Sequence, residues 1–301
     1  MIAKLKKALE KSRQNPWYLW YFLKNVNVIR DHFPRLYRRI QSRKALGIGG
    51  PCGLSKLHVI LRTTDLVMNI NASRQLEKIG IKTKNDVIRM GGCSLFPAAA
   101  HFAEEFGREN LRITLVVDQL SEFGMRQYRE AAGLAGVDFD VVEAKGHGNG
   151  PTFQTQIDIA LADGDDTLAL ILEDDYRLDP EAFSVCFRVM REHDKVIGMN
   201  PHFHPDRVRS QDIGKLVAVD GRLFCRVPST CCTFFMPVRQ IRRFEKCLRL
   251  YNGWEADSVN IAWEKGVCLA PIGWTLADHL HKCDLSPVSE FHDMVNEKSG
   301  E

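Results

Sequence analysis

Thr167-Leu168-Ala169-Leu170-Ile171-Leu172-Glu173-Asp174-Asp175-Tyr176 opens as an unbroken apolar run and closes on three consecutive acids. A short apolar run without alternation reads as a strand buried on both faces, as central strands of parallel sheets are. The acids are followed by Leu178-Asp179-Pro180-Glu181-Ala182-Phe183, a helix start with proline in its first turn. In open α/β sheets, ligands bind outside the carboxyl ends of the strands. Three adjacent carboxylates repel one another there unless a cation or hydrogen-bond donors offset the charge. Mg²⁺ or Mn²⁺ would do so, taking one or two carboxylates and completing its shell with phosphate oxygens and water. The plainer reading is an acidic turn that caps the next helix; the position directly after a buried strand favours a site.

On both sides of this stretch, strands alternate with helices. Upstream, strands are expected at Leu57–Arg62, Leu111–Val117 and Phe139–Glu143, and helices at Ser94–Phe106, Met125–Leu134 and Pro151–Ala162. Downstream, shorter strands are expected at Val196–Met199, Leu216–Val219, Arg222–Val227, Thr233–Met236 and Val267–Leu269. The pattern predicts an α/β fold, with a mostly parallel central sheet flanked by helices and a mixed smaller sheet in the second half. Gly47-Ile48-Gly49-Gly50-Pro51 marks a linker, and a helical pattern precedes it. The chain therefore divides into a basic aromatic helical segment at 1–46, a first half at 57–195 and a second half of the same domain at 196–290.

The 301 residues are 45% hydrophobic and 26% charged, which excludes a disordered chain, a collagen-like fibre and a small disulfide scaffold. Nine scattered cysteines without a Cys-x-x-Cys pair read as reduced thiols of a cytoplasmic protein. No secretory leader is expected, and the aromatic run Pro16–Leu23 is too short to span a bilayer. The net charge of +3 divides into +10 over residues 1–46 and −7 over the rest. Interleaved with Trp17, Tyr18, Trp20, Tyr21, Phe22, Phe33 and Tyr37, the basic segment has three readings. It is a solvated amphipathic helix pair, a peripheral foot on an anionic membrane, or a nucleic-acid contact. The last is the weakest, because the body is acidic and no nucleic-acid motif accompanies the charge.

Leu170–Phe183 resembles the metal-binding segment of nucleotide-sugar-dependent glycosyltransferases of the GT-A fold, in an EDD form of their acidic signature. Further stretches agree in order: His58–Asp65, Val117-Asp118, Gly148-Asn149-Gly150 with Gln156, Arg226–Pro237, Gly253–Ser258, Cys268–Pro271 and Trp274–His279. The likeness covers about 57 to 285 and is nearest to inverting N-acetylglucosaminyltransferases. Strict Asp-x-Asp is missing, His281 competes with His279, and residues 1–46 lie outside it.

The resemblance implies a metal-dependent transfer of a sugar from a nucleotide-diphosphate donor, expected to be a UDP-sugar, to a glycan or lipid-linked acceptor. Asp175 is implied as the Mn²⁺ or Mg²⁺ ligand, with His279 as a second ligand or phosphate contact. Arg62, Thr63, Asp65, Asp118, Asn149, Gln156, Glu173 and Asp174 are implied to hold the nucleotide and donor sugar. An inverting reaction needs a base for the acceptor hydroxyl proton, for which Asp257 is the candidate and Glu255 the runner-up. A retaining reaction would need none. Trp254 stacks on a sugar or fills core. His202 and His204, bracketed by Pro201 and Pro205, read as loop. The Gly146–Gly150 run lacks the Lys-Ser/Thr of a P-loop and reads as a flexible loop. Two rival functions stand beside this one. A sugar-nucleotide nucleotidyltransferase would need a Gly-rich basic loop where Thr63-Thr64-Asp65 stands, and a non-catalytic membrane- or partner-binding protein would bind neither metal nor nucleotide.

Overall fold

The computed structural model describes residues 49–65, 81, 83–202, 214–219, 222–227, 233–251, 267–271 and 275–280. In chain order these form β1 (Lys56–Thr63), α1 (Lys84–Met90), a 3₁₀ turn (Gly92–Ser94), α2 (Leu95–Phe106), β2 (Leu111–Val117), α3 (Glu122–Ala135), β3 (Asp140–Glu143) and α4 (Asn149–Leu161). They continue with β4 (Thr167–Glu173), β5 (Tyr176–Leu178), α5 (Ala182–Glu192), β6 (Val196–Met199), β7 (Gly214–Val219), β8 (Arg222–Arg226), β9 (Phe234–Pro237), α6 (Val238–Leu248), β10 (Val267–Pro271) and β11 (Ala277–His279). The basic segment 1–46 lies outside the described residues.

Nine strands form one sheet in the order β3-β2-β1-β4-β9-β6-β10-β8-β7. β3, β2, β1 and β4 are parallel, and β9 and β8 run against the other strands of the sheet. The strands expected after residue 196 thus continue the same sheet as its mixed half. β5 and β11 make a separate antiparallel pair. This is the α/β architecture that the alternation predicts.

Side-chain period explains the two layers. Val59, Leu61, Leu168, Leu170 and Leu172 point to the face covered by Phe96 and Phe102 of α2, Tyr128 of α3, and Phe183 and Phe187 of α5. Ile60, Ala169 and Ile171 point to the other, against Phe153 and Ile157 of α4 and Ile241, Phe244 and Leu248 of α6. β1 and β4 are apolar on both faces because both faces are covered, and the unalternating runs that marked them follow from that. Pro180 precedes α5, whose N-cap is Glu181, so it stands outside the first turn expected to contain it. Turn geometry at Asp179 explains this: its carbonyl accepts from Ala182 N (2.9 Å) and its carboxylate from Glu181 N (2.8 Å).

Parallel register brings the carboxyl ends of β1, β2 and β4 level, with Arg62 opposite Glu173 and Thr63 opposite Val117. The three acids therefore emerge between the ends of their neighbours.

Candidate functional site

Each acid of the triplet meets its own basic partner. Glu173, the last residue of β4, accepts a hydrogen bond from Arg62, across the strand register. The Arg62 guanidinium also donates to Asn149 O (2.9 Å) and lies 5.8 and 5.9 Å from the ring centroids of Phe153 and Tyr251. A buried guanidinium needs such a complete set of contacts. Glu173 N donates to Thr233 Oγ1 (3.2 Å), which ties β4 to the start of β9.

Asp174 is buried and its two oxygens are engaged within the protein. Oδ2 accepts from Thr63 Oγ1 (2.7 Å) and Thr64 N (3.4 Å), and Oδ1 accepts from Lys84 Nζ (2.6 Å). Tyr128 OH donates to Thr63 Oγ1 at 2.9 Å, extending the chain from α3 through β1 to the acid. Burial opposes the charge on Lys84, but Asp174 and Asp175 more than offset it, and the ammonium is held above its ordinary value. Burial, reinforced by the Asp174 charge, pushes the Tyr128 phenol well up, so it remains a neutral donor.

Asp175 meets His279 across 104 residues of sequence, with Oδ2 3.1 Å from Nε2. The β5–β11 pair makes this meeting: His279 is in register with Tyr176, and Leu280 N donates to Asp175 O (2.6 Å). Arg177 on β5 and Asp278 on β11 are ion-paired on the solvent side. The His279 ring stacks on Tyr176, with centroids 4.6 Å apart and an interplanar angle of 13°. Burial disfavours the imidazolium, but the Asp175 charge and hydrogen bond, with Glu173, outweigh it and raise the His279 pKa. His202 completes the surroundings, 6.3 Å from the His279 ring, with Nδ1 2.7 Å from Ala277 O.

The other expected residues line the same ends of the strands. Asp118, past the end of β2, is engaged by His147 Nδ1 (2.7 Å) and Gly148 N (2.6 Å). The 146–150 run, read from sequence as flexible, is thus tied to β2, and Asn149 and Gly150 already belong to α4. Gly148 has φ +87°, a left-handed value that favours glycine. Asp65 accepts from Ser121 N (2.9 Å) at the start of α3. Gln156 is fully buried, and its amide donates to Ile60 O (2.6 Å) and Leu172 O (2.9 Å), cross-bridging β1 and β4 beneath the site. Asp257, Glu255, Trp254, His204 and His281 lie outside the described residues.

Lys84, Tyr128 and Thr233 carry no mark in the sequence that sets them apart as site residues. Lys84 stands in Lys-Thr-Lys-Asn-Asp, where it looks like any solvated helix-start lysine. His202 carried a signal in its His-x-His pair, but the flanking prolines pointed to loop. It is instead buried, in a bridge with Ala277.

Among the described residues, no group of three or more His, Cys, Asp or Glu side chains is placed to hold a metal unaided. Asp175 and His279 supply one carboxylate and one imidazole. That set fits a divalent ion whose other ligands are phosphate oxygens and water.

No family model matches the sequence, and no curated protein matches it. The fold is similar to a mannosyltransferase from Pyrobaculum calidifontis in complex with GDP-Man and Mn²⁺, at 14% identity and a TM-score of 0.49, over 92% of this chain and 76% of that one. It is also similar to S. aureus TarS 1–349, at 12% identity and 0.47, over 74% of this chain and 59% of that one. A third likeness is to the galactosyltransferase LgtC, at 12% identity and 0.38, over 80% of this chain and 95% of that one. Scores at this level leave the assignment of activity to the residues of the site.

Proposed function

We propose that the protein is a transferase that binds a nucleoside diphosphate through a divalent cation, and within that class a glycosyltransferase using a nucleotide-sugar donor. The observation that carries this reading is the meeting of Asp175 and His279 at the carboxyl ends of parallel strands. Asp175 and His279 would hold Mn²⁺ or Mg²⁺, which when bound supplies positive charge to a diphosphate leaving group. Arg62 fixes Glu173 at the lip of the site, where it can accept from a donor sugar or ribose hydroxyl. Asp65, Asp118 and the Asn149 end of α4 shape the cleft for the base and ribose. The acceptor hydroxyl would lose its proton to Asp257 or Glu255 if the reaction inverts. The donor is expected to be a UDP-sugar and the acceptor a glycan or lipid-linked sugar.

The nucleotidyltransferase rival loses support at β1. Its loop would have to grip phosphates, whereas Thr63 and Thr64 donate to Asp174. Calorimetric titration of UDP and, separately, GDP with and without Mn²⁺ tests the proposal. Metal-dependent binding that disappears in Asp175→Ala is the expected result. Failure of both nucleotides under every metal condition would overturn the proposal in favour of a non-catalytic scaffold.

A further inference from the structure

Helix α1 grips Asp174 at two points. At its start, Lys84 places its ammonium 2.6 Å from Asp174 Oδ1, with both side chains buried. Just past its end, Gly91 lies so close to the Asp174 backbone that a Cβ there would overlap the carbonyl oxygen. The helix itself is anchored by a capping box: Thr83 Oγ1 accepts from Asp86 N, and the Asp86 carboxylate accepts from Thr83 N (2.9 Å). Its Val87, with Ile81, packs on Leu280, the residue after His279. The other oxygen of Asp174 is taken by Thr63 and Thr64.

We propose that Lys84 is a positioning residue that keeps the middle acid of the triplet out of the metal shell. Asp174 becomes a fixed internal anion, and Asp175 is left as the carboxylate that ligates. This rests on the metal-dependent reading above. Asp174 would have to share or break a buried ion pair to ligate, and a resident ammonium repels an arriving dication. Metal is therefore held weakly until the diphosphate of the donor brings further oxygens, so that donor and metal enter together. Without Lys84 the same backbone would present two adjacent carboxylates and bind free metal more tightly.

Mn²⁺ titrations followed by electron paramagnetic resonance, on protein alone and with UDP or GDP, test this. Lys84→Met is expected to tighten binding of Mn²⁺ alone by roughly tenfold or more, the scale of one unit charge removed beside the ligating carboxylate. Lys84→Met/Asp174→Asn should return to the wild-type value. Asp174→Asn alone should weaken Mn²⁺ binding yet retain it, whereas Asp175→Ala should abolish it. A folded Lys84→Met with unchanged or weaker affinity overturns the role of Lys84, as does an Asp174→Asn as dead to Mn²⁺ as Asp175→Ala. The Asp174→Asn comparison decides the matter if Lys84→Met does not fold, a real hazard when a buried anion loses its partner. Wild type that binds no Mn²⁺, alone or with nucleotide, sinks the metal-dependent reading itself; failure of the Lys84 arm alone leaves that reading standing.

Discussion

Three acids in a row are given three different partners: Arg62 for Glu173, Lys84 for Asp174 and His279 for Asp175. Of these bases, the imidazole alone sheds its proton near neutral pH. His279 has its pKa raised, so its protonated form stabilises the folded protein. That stabilisation is fully present below the unfolded-state pKa of about 6.5 and is lost as pH rises through the higher folded value. If His279 ligates through Nε2 as proposed, it does so as the neutral ring, so Mn²⁺ affinity should rise over the same window and His279→Gln should flatten the rise. Calorimetry at a series of pH values reads both effects; an equally steep profile in His279→Gln would show that another group titrates. Gln156 gives a contrasting prediction, since its amide faces the sheet. Gln156→Leu should cost about 1–3 kcal/mol in urea unfolding, by removing the two hydrogen bonds that bridge β1 and β4, with nucleotide affinity unchanged. Lost nucleotide binding at undiminished stability would return Gln156 to the donor site.

At the level of elements, α1 and the β5–β11 pair hold the two ends of the site. Gly91→Ala should push α1 off the Asp174 backbone, costing about 1–3 kcal/mol as over-packing does. A variant with wild-type Tm would show that α1 moves freely. The strands that build the large sheet were legible because burial leaves a mark: Val196–Met199 needed nothing but its apolar run, and β4 announced both itself and the acids at its end. Arg62 was legible for the same reason, a charge inside an apolar strand that had to have partners. β5 was not, because Tyr-Arg-Leu and Ala-Asp-His become strands only by finding each other, 101 residues apart at Arg177 and Asp278. Lys84 shows the same limit. Nothing local separates a lysine that reaches into a buried carboxylate from one that reaches into water.

Across the whole chain, charge is divided: residues 1–46 carry +10 and the remainder −7. Among the described residues, no helix is long and apolar enough to cross a membrane. If the basic segment is a membrane foot, removing residues 1–46 should abolish co-sedimentation with phosphatidylglycerol-containing vesicles while nucleotide binding persists. Wild-type sedimentation should itself fall at high salt, as screening requires. Vesicle binding that survives the deletion would place the contact on the body instead. The small β5–β11 pair bears on how the molecule is made. Its pairing bridges 101 residues at Arg177 and Asp278, against 111 at Arg62 and Glu173 between β1 and β4, but Ala277–His279 follows every strand of the large sheet in the chain. During synthesis the parallel half can be complete while the partner of Asp175 has yet to emerge. On the proposed metal site, a chain still lacking Ala277–His279 would hold Asp175 without its imidazole partner, and the capacity to bind metal would arrive with the docking of that strand.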